Sequence, residues 1–120
     1  MKCVLRHGNK VLLIKNSYGL KLWTLPGGGV KRNESLMDAV TREVREEVGI
    51  TINDLRECGS LFNDKEYRRN TIWVFATQVS SDQLEIDDLE VEEAKWFPQD
   101  ELPQKKSHLL KQFLALANNS

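Results

Sequence analysis

Apolar residues fall into two patterns along this chain, tight runs and one longer recurrence of four. Val4-Leu5 and Val11-Leu12-Leu13-Ile14 are tight runs flanking the polar stretch Arg6-His7-Gly8-Asn9-Lys10, which predicts a β-hairpin turning at the glycine. Leu22-Trp23-Thr24-Leu25 predicts a brief extended piece, ended by Pro26 and by Gly27, Gly28 and Gly29. Leu36, Val40, Val44 and Val48 then recur every four residues and lie along one stripe of a helix. Ser35 with Asp38 three residues later resembles a capping box carrying the shorter Asp, and Gly49 supplies the stop. Ile50-Thr51-Ile52 and Gly59-Ser60-Leu61-Phe62 predict strands. Residues 71–79, rich in β-branched and aromatic side chains, predict the best strand of the chain, expected at the centre of its sheet.

Ala94-Lys95-Trp96-Phe97 predicts one more short strand, followed by a turn from Pro98 to Pro103. In the last helix Leu109, Leu110, Phe113, Leu114, Leu116 and Ala117 form an apolar face, against Lys105, Lys106 and Lys111. The order is strands, helix, strands, helix, without the regular alternation of a doubly wound sheet. It predicts an α+β fold in which a mixed sheet carries a helix on each side.

Composition narrows the function classes. With 120 residues, 40% of them hydrophobic, and no repeat or linker, residues 1–120 are expected to form one domain with its own core. A formal net charge of -1 offers no general attraction to nucleic acid or to a membrane surface, so a small-molecule partner is expected rather than extended nucleic acid. Cys3 and Cys58 have no CxxC spacing and no neighbouring His cluster, which argues against zinc and for a reducing compartment. No apolar run nears the ~20 residues that span a bilayer, and the N-terminus lacks a signal-peptide core. A cytoplasmic monomer or homodimer is the expectation.

The chemistry concentrates on the first helix. Glu43, Glu46 and Glu47 are spaced i, i+3 and i+4, so their carboxylates crowd one spot, at roughly 0.2 to 0.5 kcal/mol of repulsion per pair. Arg42, four residues before Glu46, offsets part of it. A cluster of hard oxygen donors also suits Mg2+ or Mn2+. The plain alternative is a solvated acidic face, which describes most acidic helices. What sets this helix apart is its frame: Gly28, five residues, Glu34, seven residues, Arg42-Glu43-Val44, one residue, Glu46-Glu47, one residue, Gly49-Ile50.

That spacing, nine defined positions over residues 28–50, resembles the Nudix box at every one of them. The segments Leu25-Pro26-Gly27-Gly28-Gly29 and Glu93-Ala94-Lys95-Trp96-Phe97-Pro98 are similar to flanks common in the Nudix hydrolase family. The resemblance implies an α/β/α sandwich on a mixed sheet with a catalytic loop-helix-loop. It implies hydrolysis, by water and a divalent metal, of a nucleoside diphosphate linked to a group X. Carried over by position, Glu43, Glu46 and Glu47 would bind Mg2+ or Mn2+, with the Gly28 backbone offering a carbonyl. Arg42 would hold the glutamates, and Glu34 would support the site. A general base from outside the box is expected in the second acidic run, with Glu93 or Glu90 preferred over Asp87 and Asp88.

Gly28 and Gly29 are expected to let substrate approach the backbone. Trp23, Trp73, Trp96 and Phe75 are expected mainly as core aromatics, with Trp23 and Tyr18 the best candidates to line the cleft. Arg69, beside Arg68 in a polar loop, is a candidate for phosphate contact, against the plainer reading of solvated charge. A (deoxy)nucleoside triphosphate is the leading substrate expectation. The competing ones are ADP-ribose or a dinucleotide, the 5′ end of RNA, a nucleotide sensor without turnover, and an interaction domain whose acidic face docks a basic partner.

Overall fold

The computed structural model describes residues 1–63 and 70–119. Five strands and two helices follow one another as β1 (Lys2–His7), β2 (Lys10–Asn16), α1 (Leu36–Val48), β3 (Arg56–Asn63), β4 (Asn70–Gln78), β5 (Val91–Pro98) and α2 (Leu110–Asn118). The strands form one sheet in the order β3-β4-β1-β2-β5. β1 runs parallel to β4, while the β1–β2, β2–β5 and β3–β4 pairs are antiparallel. The sheet is therefore mixed, as expected.

Alternation along the strands divides the core into two layers. Val4, Val11, Leu13, Val74 and Ala76 point to one face and pack against Leu110, Phe113, Leu114 and Ala117 of α2. Cys3, Leu5, Leu12, Ile14 and Phe75 point to the other and meet the Val40, Val44 and Val48 stripe of α1. A strand covered on both faces reads as a continuous apolar run, which is why Val11-Leu12-Leu13-Ile14 does not alternate. Each large side chain so enclosed contributes about 1.5 to 3 kcal/mol.

Two sequence expectations fail here. The middle strand is β1, not β4, which lies one place from the edge; β4 is apolar because its second half is buried, while Asn70 and Thr71 are exposed. Ile50-Thr51-Ile52 is not a strand. Its two isoleucines pack into the α1 layer as a loop, so apolar spacing there reports burial without pairing. The capping box is half made: Ser35 Oγ accepts from Asp38 N at 3.1 Å, and the short Asp38 side chain makes no return bond.

Candidate active site

The glycine turn is stitched to the start of β1. Cys3 N donates to Pro26 O at 2.9 Å and Gly28 N to Met1 O at 3.1 Å. A Cβ on Gly27 would stand 2.0 Å from the Met1 carbonyl oxygen, so only glycine allows this approach. The contact leaves Gly27 N free to turn inward, where it donates to Glu47 Oε1 at 2.9 Å. A Cβ on Gly28 would lie 2.7 Å from the carboxyl of Glu43. The turn is thus laid directly across two carboxylates of α1, with no side chain between.

Arg42 ties the assembly together. Its Nε and Nη2 grip Glu34 Oε2 and Oε1 at 2.8 and 2.9 Å, a bidentate arrangement that a guanidinium makes and an ammonium does not. Nη1 reaches Glu43 Oε1 at 2.8 Å and Glu46 Oε2 at 3.4 Å, and Nη2 also donates to Gly29 O at 3.1 Å. Glu34 accepts a further bond from Lys31 N at 2.9 Å. The Arg42 bonds, helped by the Lys31 amide, hold its carboxyl down at about 2, against an ordinary 4.5. The Arg42 charge is reinforced in turn, first by Glu34 and then by Glu43.

Glu47 goes the other way. It is buried, and loss of water pushes its carboxyl up to about 7 from 4.5; Glu43 and Glu90 push in the same direction, against the Gly27 amide and the charge of Lys2. An acid strained in this way is one a nearby cation would relieve. The donors facing the turn are all hard oxygens, which fits Mg2+ or Mn2+ and not a soft metal. No three His, Cys, Asp or Glu among the described residues already stand together as a cluster. Arg42 engages Glu43 and Glu46, the Glu46 side chain is half exposed, and Gly28 O accepts from the Met1 amino group at 2.9 Å.

The NUDIX domain family matches residues 2–117. This chain belongs to the Nudix hydrolase family. NAD-capped RNA hydrolase NudC of Vibrio vulnificus is 33% identical over 82 residues, covering 68% of this chain and 31% of that protein. The protein of the same name from Mycobacterium tuberculosis is 31% identical over 103 residues, covering 83% of this chain and 32% of that protein. The chain thus spans about a third of the length of these curated relatives. Among solved structures, MutT NUDIX hydrolase from Burkholderia pseudomallei superposes with a TM-score of 0.84 at 25% identity, over 99% of this chain and 95% of that one. The NUDIX domain of Shewanella oneidensis NrtR, solved with ADP ribose, shares the fold with a TM-score of 0.86 at 24% identity, over 98% and 84%.

Outside its box, this Nudix chain meets some sequence expectations and departs from others. Trp23 is in the core, edge-on to Phe97 at 5.0 Å between ring centroids, with Lys15 Nζ over its ring at 5.1 Å. Phe75 is buried too, but Trp73 is 36% exposed. Glu93 pairs with Lys15 at 3.3 Å. Glu90, by contrast, is the member of the second acidic run whose charge reaches Glu47. Arg68 and Arg69 lie outside the described residues. Tyr18 is exposed and lines a cavity of about 350 Å3 with Lys2, Asn16, Thr24, His108 and Phe113.

Lys2 and the Gly27 amide escaped the sequence reading. The signal for Lys2 was present, a cation directly before the apolar run Cys3-Val4-Leu5.

Proposed function

We propose that the chain is a divalent-metal-dependent pyrophosphohydrolase that cleaves a nucleoside diphosphate linked to a group X. The observation that carries this is the Gly27–Gly28 backbone lying across Glu43 and Glu47 while Arg42 fixes Glu34, Glu43 and Glu46. Such a frame is more than an acidic surface needs, and Lys2, whose backbone bridges to Gly27, lines a cavity of the size that suits a small ligand. Glu43, Glu46 and Glu47 would hold Mg2+ or Mn2+. When bound, the ion neutralises phosphate charge and lowers the pKa of water.

The chain's own side chains supply the rest. Arg42 keeps Glu43 and Glu46 from splaying under mutual repulsion, the Gly27 amide holds Glu47, and Glu34 locks the arginine. The glycine turn excludes side chains from the phosphate path. Glu90, close enough to Glu47 to feel its charge, is better placed than Glu93 to accept a proton from the attacking water. The cavity lined by Tyr18, Asn16 and His108 would hold the nucleoside.

A (deoxy)nucleoside triphosphate remains the leading substrate, released as monophosphate and pyrophosphate. A dinucleotide is the second reading, favoured by the NudC relatives, whose name includes an NAD cap. The deciding experiment incubates the protein with nucleoside triphosphates, ADP-ribose, NAD and 5′-triphosphorylated RNA, with Mg2+ or with EDTA, and weighs the products. Mg2+-dependent cleavage between phosphorus atoms supports the hydrolase, and the masses name X. Tight nucleotide binding without any product would overturn it in favour of a sensor.

A further inference from the structure

Lys2 links the cavity to the glycine turn whose amide bonds Glu47. It opens β1, its backbone bridges to Gly27, and its side chain lines the cavity. Its Nζ donates to Leu25 O at 3.2 Å. An ammonium carries three donors, and this bond uses one. Among the described residues no carboxylate forms an ion pair with it; the charge of Glu47 is felt only at longer range. A partly desolvated cation with one neutral acceptor is a costly arrangement. An apolar residue, like the Met1, Cys3 and Val4 around it, would serve the fold better.

We propose that Lys2 is an anion-binding residue of the cavity, which grips the phosphate that joins the nucleoside to the rest of the substrate. The proposal rests on the nucleotide reading above, because it takes the cavity as the nucleoside's place and the glycine turn as that of the next phosphate. Lysine suits this task as a compact charge that needs no fixed fork. Lys2 approaches from β1, opposite in chain origin to the α1 carboxylates, so its hold on phosphate is independent of metal. It also selects nucleotides over nucleosides before any ion arrives.

Calorimetry in EDTA tests this without turnover. The four ribonucleoside 5′-monophosphates and their nucleosides are titrated into wild type, Lys2→Met and Lys2→Arg. Wild type is expected to bind at least one monophosphate about tenfold or more tightly than its nucleoside, the worth of one hydrogen bond to a charged group. Lys2→Met should erase that preference while leaving nucleoside affinity within about twofold, and Lys2→Arg should keep part of it. No preference in wild type, or an equal one in Lys2→Met, overturns the proposal. Should Lys2→Met not fold, the 15Nζ resonance of wild-type Lys2 decides. It must move on adding the monophosphate and stay put on adding the nucleoside, and an unmoved signal overturns the assignment. Failure of the hydrolase reading looks different: no product in Mg2+ from any nucleotide, whatever the calorimetry gives.

Discussion

Glu34 and Glu47 are both glutamates of the box, yet their surroundings push their acidities apart, and each shift implies a pH dependence. Glu47 holds its proton more tightly folded than unfolded, about 7 against 4.5. In metal-free protein it therefore costs stability increasingly as pH rises from 4.5 through 7, by an amount on the order of 1 to 3 kcal/mol. Glu47→Gln should be more stable than wild type in EDTA at pH 8 and equal to it near pH 4.5, as read by urea denaturation. A gain of the same size at both pH values would count against burial as the cause. The same change should lower Mg2+-supported turnover by about a thousandfold, if one ligand is worth several kcal/mol.

Glu34 has the opposite sign. Its carboxyl is depressed to about 2, so the Arg42 clamp stabilises fully above 4.5 and is lost as pH falls towards 2. Arg42→Met should flatten the acid side of the stability profile over that window. If its acid midpoint matches that of wild type, the clamp is not what acid breaks. Sequence spacing made Arg42, Glu34 and the glutamates legible because each is a short-range fact of one helix and the turn before it. Lys2 was not, because its role depends on β1 being brought to Gly27 by the sheet.

Among the elements, α1 and the glycine turn act as one unit. Ser35 caps the helix at its start and Gly49, at φ 76°, closes it. Ser35→Ala should cost about 1 kcal/mol in thermal or urea melts, with the site geometry kept. Gly27→Ala should do more harm to function than its stability loss explains. The added methyl meets backbone at 2.0 Å, so the turn must lift off and withdraw the amide from Glu47. The checkable outcome is a fall in turnover that stabilising solutes do not restore. Helix boundaries were readable from caps and a four-residue recurrence. Strand placement was less so: residues 50–52 are as apolar as a strand but pack as a loop, and β4 outscored β1 in composition while β1 took the middle. Local preference reports that a segment is buried, not which partner it finds.

On the scale of the whole molecule, metal binding should appear as a stability linkage. A ligand that binds only the folded state raises the melting temperature with its concentration. Because Glu47 must be ionised to hold a cation, the Mg2+ or Mn2+ shift should be larger at pH 8 than at pH 6, and largely absent in Glu47→Gln. Equal shifts in both proteins would move the ion elsewhere. The two-layer plan itself was readable in advance, since two apolar helices flanking short apolar runs leave few other ways to cover a sheet. The placing of β1 between β2 and β4 carries one more consequence. Within this chain β1 gains its second neighbour only once β4 is made, since Lys2 pairs with Val74. Until then a nascent hairpin holds an open, apolar edge, and this protein's yield in cells should depend on how quickly translation delivers β4.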